Sequence, residues 1–262
     1  MVKTLIKNKK MGNVINDAHV HIGQFRDLYS SAESVYNFLK SVNVGRFAVS
    51  SSTIAEVGYR DSSERILQEM QDIVRIGGDS IDPVLWIEPT MLDNGWLEKF
   101  CDSGIKWKCL KVHGYMHSWS DEQINRVIKL AGQMGLPLLF HTGGKPESDA
   151  GSYHKFIKAN PSQIFILAHS RPVEQTIEIM TDCSNAWADT AFTPIDAIVK
   201  MMQKGLIERM MWGTDYPLPN VFYPNIEASK YYNDLVEKVK SVMGPKDWGM
   251  LSSVNYYKIF GY

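Results

Sequence analysis

Eight short apolar runs alternate along this chain with stretches of helical periodicity, and that alternation limits the fold more than any other feature. The runs cover residues 14–22, 46–50, 83–88, 107–113, 137–141, 163–169, 186–189 and 210–213. Helices are expected between and after them, over 31–41, 62–76, 94–103, 120–133, 152–159, 173–181, 194–204 and 225–243, with a last one over 253–260. Ser120 with Gln123 reads as a capping box, and Asp61-Ser62-Ser63 offers a helix cap. Strands that alternate with helices build parallel sheets. Strands that are nearly all apolar are covered on both faces. Eight such units in 262 residues fit a (β/α)8 TIM barrel, whose usual size is about 250 residues. The expectation is therefore an α/β chain with one barrel domain over residues 1–262. An open doubly wound sheet is the alternative. The short second run and the polar seventh run are the weakest members of the pattern.

The chain has seven histidines, and six sit at or just past the end of an apolar run. They are His19, His21, His113, His117, His141 and His169, and the eighth run leads to Asp215. Active sites of such barrels lie at the C-terminal ends of the strands, so residues far apart in sequence meet there. Side chains alternate along a strand, so His19 and His21 share a face, and Asp17 joins it if that face points inward. A nitrogen- and oxygen-rich set suits a divalent metal. The simplest ligand triplet is His19, His21 and His141, with Asp215 as a fourth ligand, as the base for a metal-activated water, or as both. His169 is placed to move a proton at the substrate. His154 falls in a helical stretch and reads as ordinary surface.

Lys111 alternates with Trp107, Cys109 and His113 on one face of the fourth run. A lysine inside a barrel must be paired, bound to an anion or chemically altered. It can salt-bridge Asp17 or Glu88, bind a substrate carboxylate, or be carbamylated between two metals. Glu88 and Asp189, at the ends of their runs, can bind substrate or orient a histidine. Arg171, just past His169, can face an anionic substrate or form a loop salt bridge.

Composition narrows the partners. A formal net charge of -1 gives no pull toward nucleic acid or an anionic membrane. No apolar run of 18 residues exists, so no spanning helix is expected. The basic start, MVKTLIKNKK, lacks the apolar core of a signal peptide. Three cysteines without C-x-x-C spacing fit a reducing compartment, and a cytoplasmic location is expected. A homodimer is expected only because closed twofold assemblies are common.

The segments DAHVHIG, LKVHG, LLFHTGG, FILAHSR, MMWGTDYP and NYYKIFG, spread over residues 17–261, resemble the amidohydrolase superfamily. The resemblance is to its amidohydrolase-related branch, which also includes decarboxylases similar to aminocarboxymuconate semialdehyde decarboxylase. It implies a (β/α)8 barrel with a divalent metal, commonly zinc, ligated by His19, His21 and His141. Asp215 would be a ligand or the water-activating base. His169 would ligate a second metal in a two-metal member and act near the substrate in a one-metal member. The K-x-H pattern at Lys111 and His113 favours one ion over two. Arg60 or Arg26 could supply the arginine that faces substrate in the decarboxylases.

Two reactions follow. The first is metal-dependent hydrolysis of an amide, lactone or ester bond in a small, carboxylate-bearing substrate. The second is nonoxidative decarboxylation of an aromatic or enol-type acid. A noncatalytic domain that retains a metal is the third reading. An aromatic-lined slot with a cation would favour the decarboxylase. A wide pocket at an open metal position would favour the hydrolase.

Overall fold

The computed structural model describes residues 14–57, 59–93 and 95–261, with the side chains of residues 57–61 outside that description. The N-terminal segment MVKTLIKNKK, the Arg60 side chain and the expected helix start at residue 94 therefore lie outside the described residues.

Nine strands form one sheet: β1 (Ile15–Phe25), β2 (Leu28–Ser30), β3 (Val44–Ser51), β4 (Ile81–Ile87), β5 (Cys109–Val112), β6 (Leu138–His141), β7 (Phe165–Ala168), β8 (Ala186–Asp189) and β9 (Met210–Met211). Their order is β2-β1-β3-β4-β5-β6-β7-β8-β9. Every pairing from β1 through β9 is parallel, and β2 alone folds back antiparallel on β1. Helices cross between the parallel strands. The main ones are α1 (Ala32–Ser41), α2 (Thr53–Val57), α3 (Tyr59–Gly77), α4 (Trp96–Cys101), α5 (Asp121–Met134), α6 (Ala150–Ala159), α7 (Val173–Asp182) and α8 (Ile195–Gln203). Short α9 (Pro219–Phe222), long α10 (Ala228–Ser241), short α11 (Pro245–Gly249) and α12 (Asn255–Phe260) close the chain.

The sheet curls into an open, distorted barrel whose ends approach without a shared ladder. The eighth barrel strand is short because only Met210 and Met211 pair with β8. Beyond them the chain follows β1 irregularly. Ala18 N–H donates to Trp212 O at 2.8 Å, Asp215 N–H to His19 O at 2.8 Å and His21 N–H to Tyr216 O at 2.7 Å. The closed eight-strand ladder expected from the sequence is thus met only in part. The bonds that draw the ends together belong to the residues that carry the site. Asp215, beyond the end of β9, has a left-handed backbone with φ 60°.

Local chemistry sets the elements. Ser31 and Ser120 cap α1 and α5 by accepting from Ser34 and Gln123 backbone N–H groups, and Gln123 completes the capping box at Ser120. The expected cap at residues 61–63 is overturned. The helix begins upstream at Tyr59, and Ser62 and Ser63 are buried within its first turns. The β2 hairpin and the short α2, α9 and α11 have no periodicity long enough to be read from sequence.

Two cores hold the layers. The larger lies between the sheet and its helices, with Ile22, Phe47, Val112, Phe140 and Leu167 fully buried. The smaller fills the inside of the sheet with Ala18, Ala48, Val84, Cys109, Leu139 and Ile166, plugged by Tyr256 and Phe260 of α12. Tyr256 Oη donates to Asp82 Oδ2 at 2.6 Å, and Arg46 Nη2 donates to Asp82 Oδ1 at 2.8 Å, which satisfies the buried carboxylate. This plug shuts one end of the sheet and leaves a cavity at the other.

Candidate metal centre

His19 and His21 come from β1, where the register against β3 shifts between Asp17 and Val20. The shift interrupts simple alternation, so Ala18 packs in the inner core while both histidines reach Lys111. Asp17 does not join them. It accepts from the backbone N–H groups of His19 and Thr214, each at 3.1 Å, and from Thr214 Oγ1 at 2.6 Å. Burial nevertheless pushes its carboxyl up to about 7.

The imidazole Nε2 atoms of His19 and His21 lie 3.2 and 3.0 Å from Asp215 Oδ1. Their other nitrogens are anchored. His19 Nδ1 meets Asp189 Oδ2 at 2.9 Å, and His21 Nδ1 meets Ser50 Oγ at 3.1 Å. A carboxylate only accepts, so the His19 proton sits on Nδ1 and its Nε2 lone pair faces the centre. Asp189 also accepts from the backbone N–H groups of His169 and Ala191, and so ties β8 to the end of β7.

Lys111 occupies the middle. Its Nζ lies 3.1 Å from both His19 Nε2 and His21 Nε2, and 4.5 Å from the centroid of the Trp86 ring. Among the described residues it pairs with neither Asp17 nor Glu88. Burial lowers its ammonium to about 8, against the pull of Asp215 and Asp189. Burial likewise brings His21 down to about 3, and the Lys111 charge adds to that shift. Burial works against ionised Asp215, but the imidazoles that converge on it, His19 first and then His21, outweigh it and hold the carboxyl well below the usual range.

Two lone pairs and a carboxylate converge on a point shared with one ammonium. Among the described residues Asp215 Oδ1 is buried without a hydrogen-bond partner, its short contacts to the histidines being ion-pair contacts only. A buried anionic oxygen beside two acceptor nitrogens calls for a cation. The ligand atoms of His19, His21 and Asp215 lie within 4.8 Å of one another, and the set fits a divalent ion.

His141 and His169 form a separate pair. His169 Nε2 faces His141 Nδ1 at 3.0 Å, and His169 Nδ1 faces the Ala191 carbonyl at 3.1 Å. The carbonyl only accepts, so the neutral His169 ring carries its proton on Nδ1 and accepts from His141 through Nε2. Burial lowers His169 to about 4 and takes His141 well below its ordinary value. His141 stacks on His113 at 3.7 Å between centroids, and His113 stacks on Trp86 at 4.7 Å. The sequence brought His141 into the first triplet. The structure sets Asp215, the expected fourth ligand or base, beside His19 and His21, and pairs His141 with His169. The His19 and His169 rings lie 4.9 Å apart and link the two groups.

Glu88 turns away from the centre. It accepts from Thr90 Oγ1 at 2.8 Å and lies 3.9 Å from His117 Nδ1. Arg171 is half buried and donates through Nη2 to Phe192 O at 3.0 Å. His169 and Ser170 both have left-handed backbone, with φ 68° and 54°, and this turn brings His169 and Arg171 to one cavity. The cavity measures about 760 Å³ and includes Lys111, Asp215, Arg26, Arg171, Phe192 and Phe222 in its wall. Sequence periodicity gave no sign of Phe192, in the turn after β8, or of Phe222, at the end of the short α9. Arg26 lies 5.5 Å from the centroids of both Phe25 and Phe222.

No protein-family model matches the sequence, and no curated protein does. Solved structures match in shape. A probable 2-pyrone-4,6-dicarboxylic acid hydrolase from Acinetobacter baumannii superposes with a TM-score of 0.68 at 11% identity, over 95% of this chain and 99% of that one. A 2,6-dihydroxybenzoate decarboxylase from Rhizobium gives 0.65 at 12%, over 95% and 98%. A 5-carboxyvanillate decarboxylase from Novosphingobium aromaticivorans, complexed with manganese, gives 0.69 at 10%, over 97% of each. Identities this low establish a shared fold. Fold and site together describe a barrel-like α/β chain with a buried His–His–Asp centre. The fold is the one these hydrolase and decarboxylase structures share.

Proposed function

We propose that this chain is an amidohydrolase-related enzyme that hydrolyses an amide, lactone or ester bond in a small carboxylate-bearing substrate. One observation carries the reading: His19 Nε2 and His21 Nε2 converge on Asp215 Oδ1, which has no hydrogen-bond partner among the described residues, and His21 and Asp215 line a cavity that also holds two arginines. His19, His21 and Asp215 hold the ion, with His141 completing the set when the His141–His169 contact opens. One ion, most simply zinc, is the expected complement. Bound there, a divalent ion supplies Lewis-acid polarisation and a water acidified enough to act near neutral pH.

The chain's own residues do the rest. The Asp215 carboxylate accepts the proton released at the reacting centre through the oxygen not turned to His19 and His21, since it stays ionised despite burial. His169 Nε2, free once its contact with His141 opens, takes that proton over from Asp215 and delivers it to the leaving group. Arg171 binds the substrate carboxylate with the guanidinium edge that Phe192 O leaves free. Asp189 holds the His19 ring in the orientation the centre needs. Closing the first and last strands into a complete barrel belongs to this reading. So do a cytoplasmic setting and a homodimer. Among the described residues no helix is long and apolar enough to cross a membrane.

A second reading has its own observation. The Trp86, His113 and His141 rings stack into one flat wall, and Phe192 and Phe222 stand at the cavity with Arg26. A flat aromatic wall with cations at its rim suits a planar ring acid and so favours nonoxidative decarboxylation. The decarboxylases matched in fold act on substrates of that type.

Metal analysis of the untreated protein, with a panel of lactones, amides, esters and aromatic acids, tests both readings. Expected are one divalent ion at this centre, lost in Asp215→Asn, whatever other ion the chain binds, and turnover that His141→Ala and Asp215→Asn abolish. Released carbon dioxide would select the second reading. Full metal occupancy without turnover on any panel member would leave a noncatalytic metal-retaining domain.

A further inference from the structure

A second cluster of metal-ligating side chains stands apart from the cavity, on the outer helices. His154 lies on α6, Asp182 is the last residue of α7, and Cys183 caps that helix. One ligand atom from each lies within 4.8 Å of the others, and His154 Nε2 is 3.2 Å from Asp182 Oδ2. A tetrahedral ion with bonds of about 2.0–2.3 Å sets its ligand atoms about 3.3–3.8 Å apart. The His154–Asp182 pair is already at that spacing, so the remaining closure is about 1 Å.

The electrostatics of the place favour a cation. The C-terminus of a helix carries partial negative charge; Arg209 already meets it by donating to the Met180 and Cys183 carbonyls, but α7 also ends on the Asp182 carboxylate, with no basic residue in its own last turn. Two groups from α6, His154 and the Lys158 ammonium at 2.8 Å, converge on that carboxylate instead. The Lys158–Asp182 pair is exposed, and exposed pairs are worth little, so an ion can displace the ammonium at small cost. The Cys183 residue is buried, and its sulfur gives the group a soft donor that the inner site lacks.

We propose that His154, Asp182 and Cys183 form a peripheral binding site for a thiophilic divalent cation, of the zinc type, that cross-links α6 to α7. On binding, the Cys183 thiol releases its proton to solvent, Sγ bonds the ion as thiolate, and water fills the fourth position. The site does not depend on the inner centre and would remain if that reading failed.

Cobalt(II) distinguishes the two sites because only a thiolate ligand gives the intense near-ultraviolet sulfur-to-cobalt absorption. The inner centre has only nitrogen and oxygen donors. The full chain, stripped with chelator and titrated with cobalt(II), should show this absorption and bind one more ion than Cys183→Ser. The absorption should persist in Asp215→Asn and disappear in Cys183→Ser. His154→Gln, a change at a partly exposed helix position, should raise the cobalt concentration needed for the absorption at least tenfold. It carries the test if Cys183→Ser fails to fold. No sulfur-to-cobalt absorption in the wild type overturns the proposal. So does an absorption that survives Cys183→Ser, or one that His154→Gln leaves at its wild-type midpoint.

Discussion

Asp189 Oδ2 lies 2.9 Å from His19 Nδ1, and this one contact decides which face of His19 meets the centre. The carboxylate fixes the proton on Nδ1 and leaves the Nε2 lone pair inward. Asp189→Asn replaces an acceptor by an amide that can present its N–H to Nδ1 and reverse the tautomer. Divalent-metal affinity should fall about 10- to 100-fold, the usual effect of losing such an outer partner. Isothermal titration with zinc measures it. Unchanged affinity would show that His19 orientation does not depend on Asp189.

Lys111 and the ion need the same space. The ammonium donates to both Nε2 atoms at 3.1 Å, so an ion can enter only as it withdraws. Lys111→Met keeps the stem and removes the competing charge. Zinc should bind the variant more tightly than the wild type, by about tenfold or more, since two like charges within a few ångströms cost at least about 1 kcal/mol even in a watery dielectric. Competition titration against a chromophoric chelator reads the difference. Weaker binding, together with bicarbonate-dependent uptake by the wild type, would identify a carbamylated lysine instead.

The strands and most helices were legible because their signal is local. Runs such as 138–141 and 165–168 are short, apolar and bounded, and helices such as α5 have a capping box and a steady period. The gathering of His19, His21 and Asp215 into one candidate site was legible because each follows or lies in one of those runs. Three kinds of feature were hidden. The register shift in β1 moves Asp17 off the histidine face, and alternation alone does not foresee a shift. The left-handed backbone at His169 and Asp215 re-aims both side chains, and neither residue is a glycine that would announce it. The partner each histidine chooses is a three-dimensional fact. His141 lies close to His169 because His113 and Trp86 stack behind it, and spacing along the chain carries no trace of that wall.

Asp17 gives the fold a pH dependence of its own. Burial pushes its carboxyl up to about 7, against a reference of 3.8. A group whose pKa is higher folded than unfolded takes up protons on folding. Its contribution is complete below about pH 4 and is lost as pH rises through about 7, on the order of 4 kcal/mol across the window. Asp17→Asn keeps the shape, still accepts from His19 and Thr214 N–H groups, and can donate to Thr214 Oγ1. Denaturant unfolding in the presence of chelator should show wild-type stability falling between pH 4 and 8 relative to the variant, whose profile is flatter. Parallel profiles would mean that the three hydrogen bonds keep Asp17 ionised throughout.

Gly143 sets the reach of Arg171. Its φ is 87°, and a Cβ there would meet Arg171 Cβ at 2.7 Å and Cδ at 2.9 Å. The glycine is therefore needed twice, for its backbone and for the space the arginine stem occupies. Gly143→Ala should cost about 1–3 kcal/mol, as left-handed strain typically does. It should also push the guanidinium off Phe192 O. If Arg171 binds a substrate carboxylate, KM for an acidic panel substrate should rise at least tenfold while its uncharged ester is turned over as before. Arg171→Lys separates the two effects, because it keeps the charge and loses the paired N–H edge without touching Gly143. Its melting temperature should stay near wild type while KM for the acid rises. An equal loss for acid and ester in both variants would leave Arg171 a purely structural tie between the ends of β7 and β8.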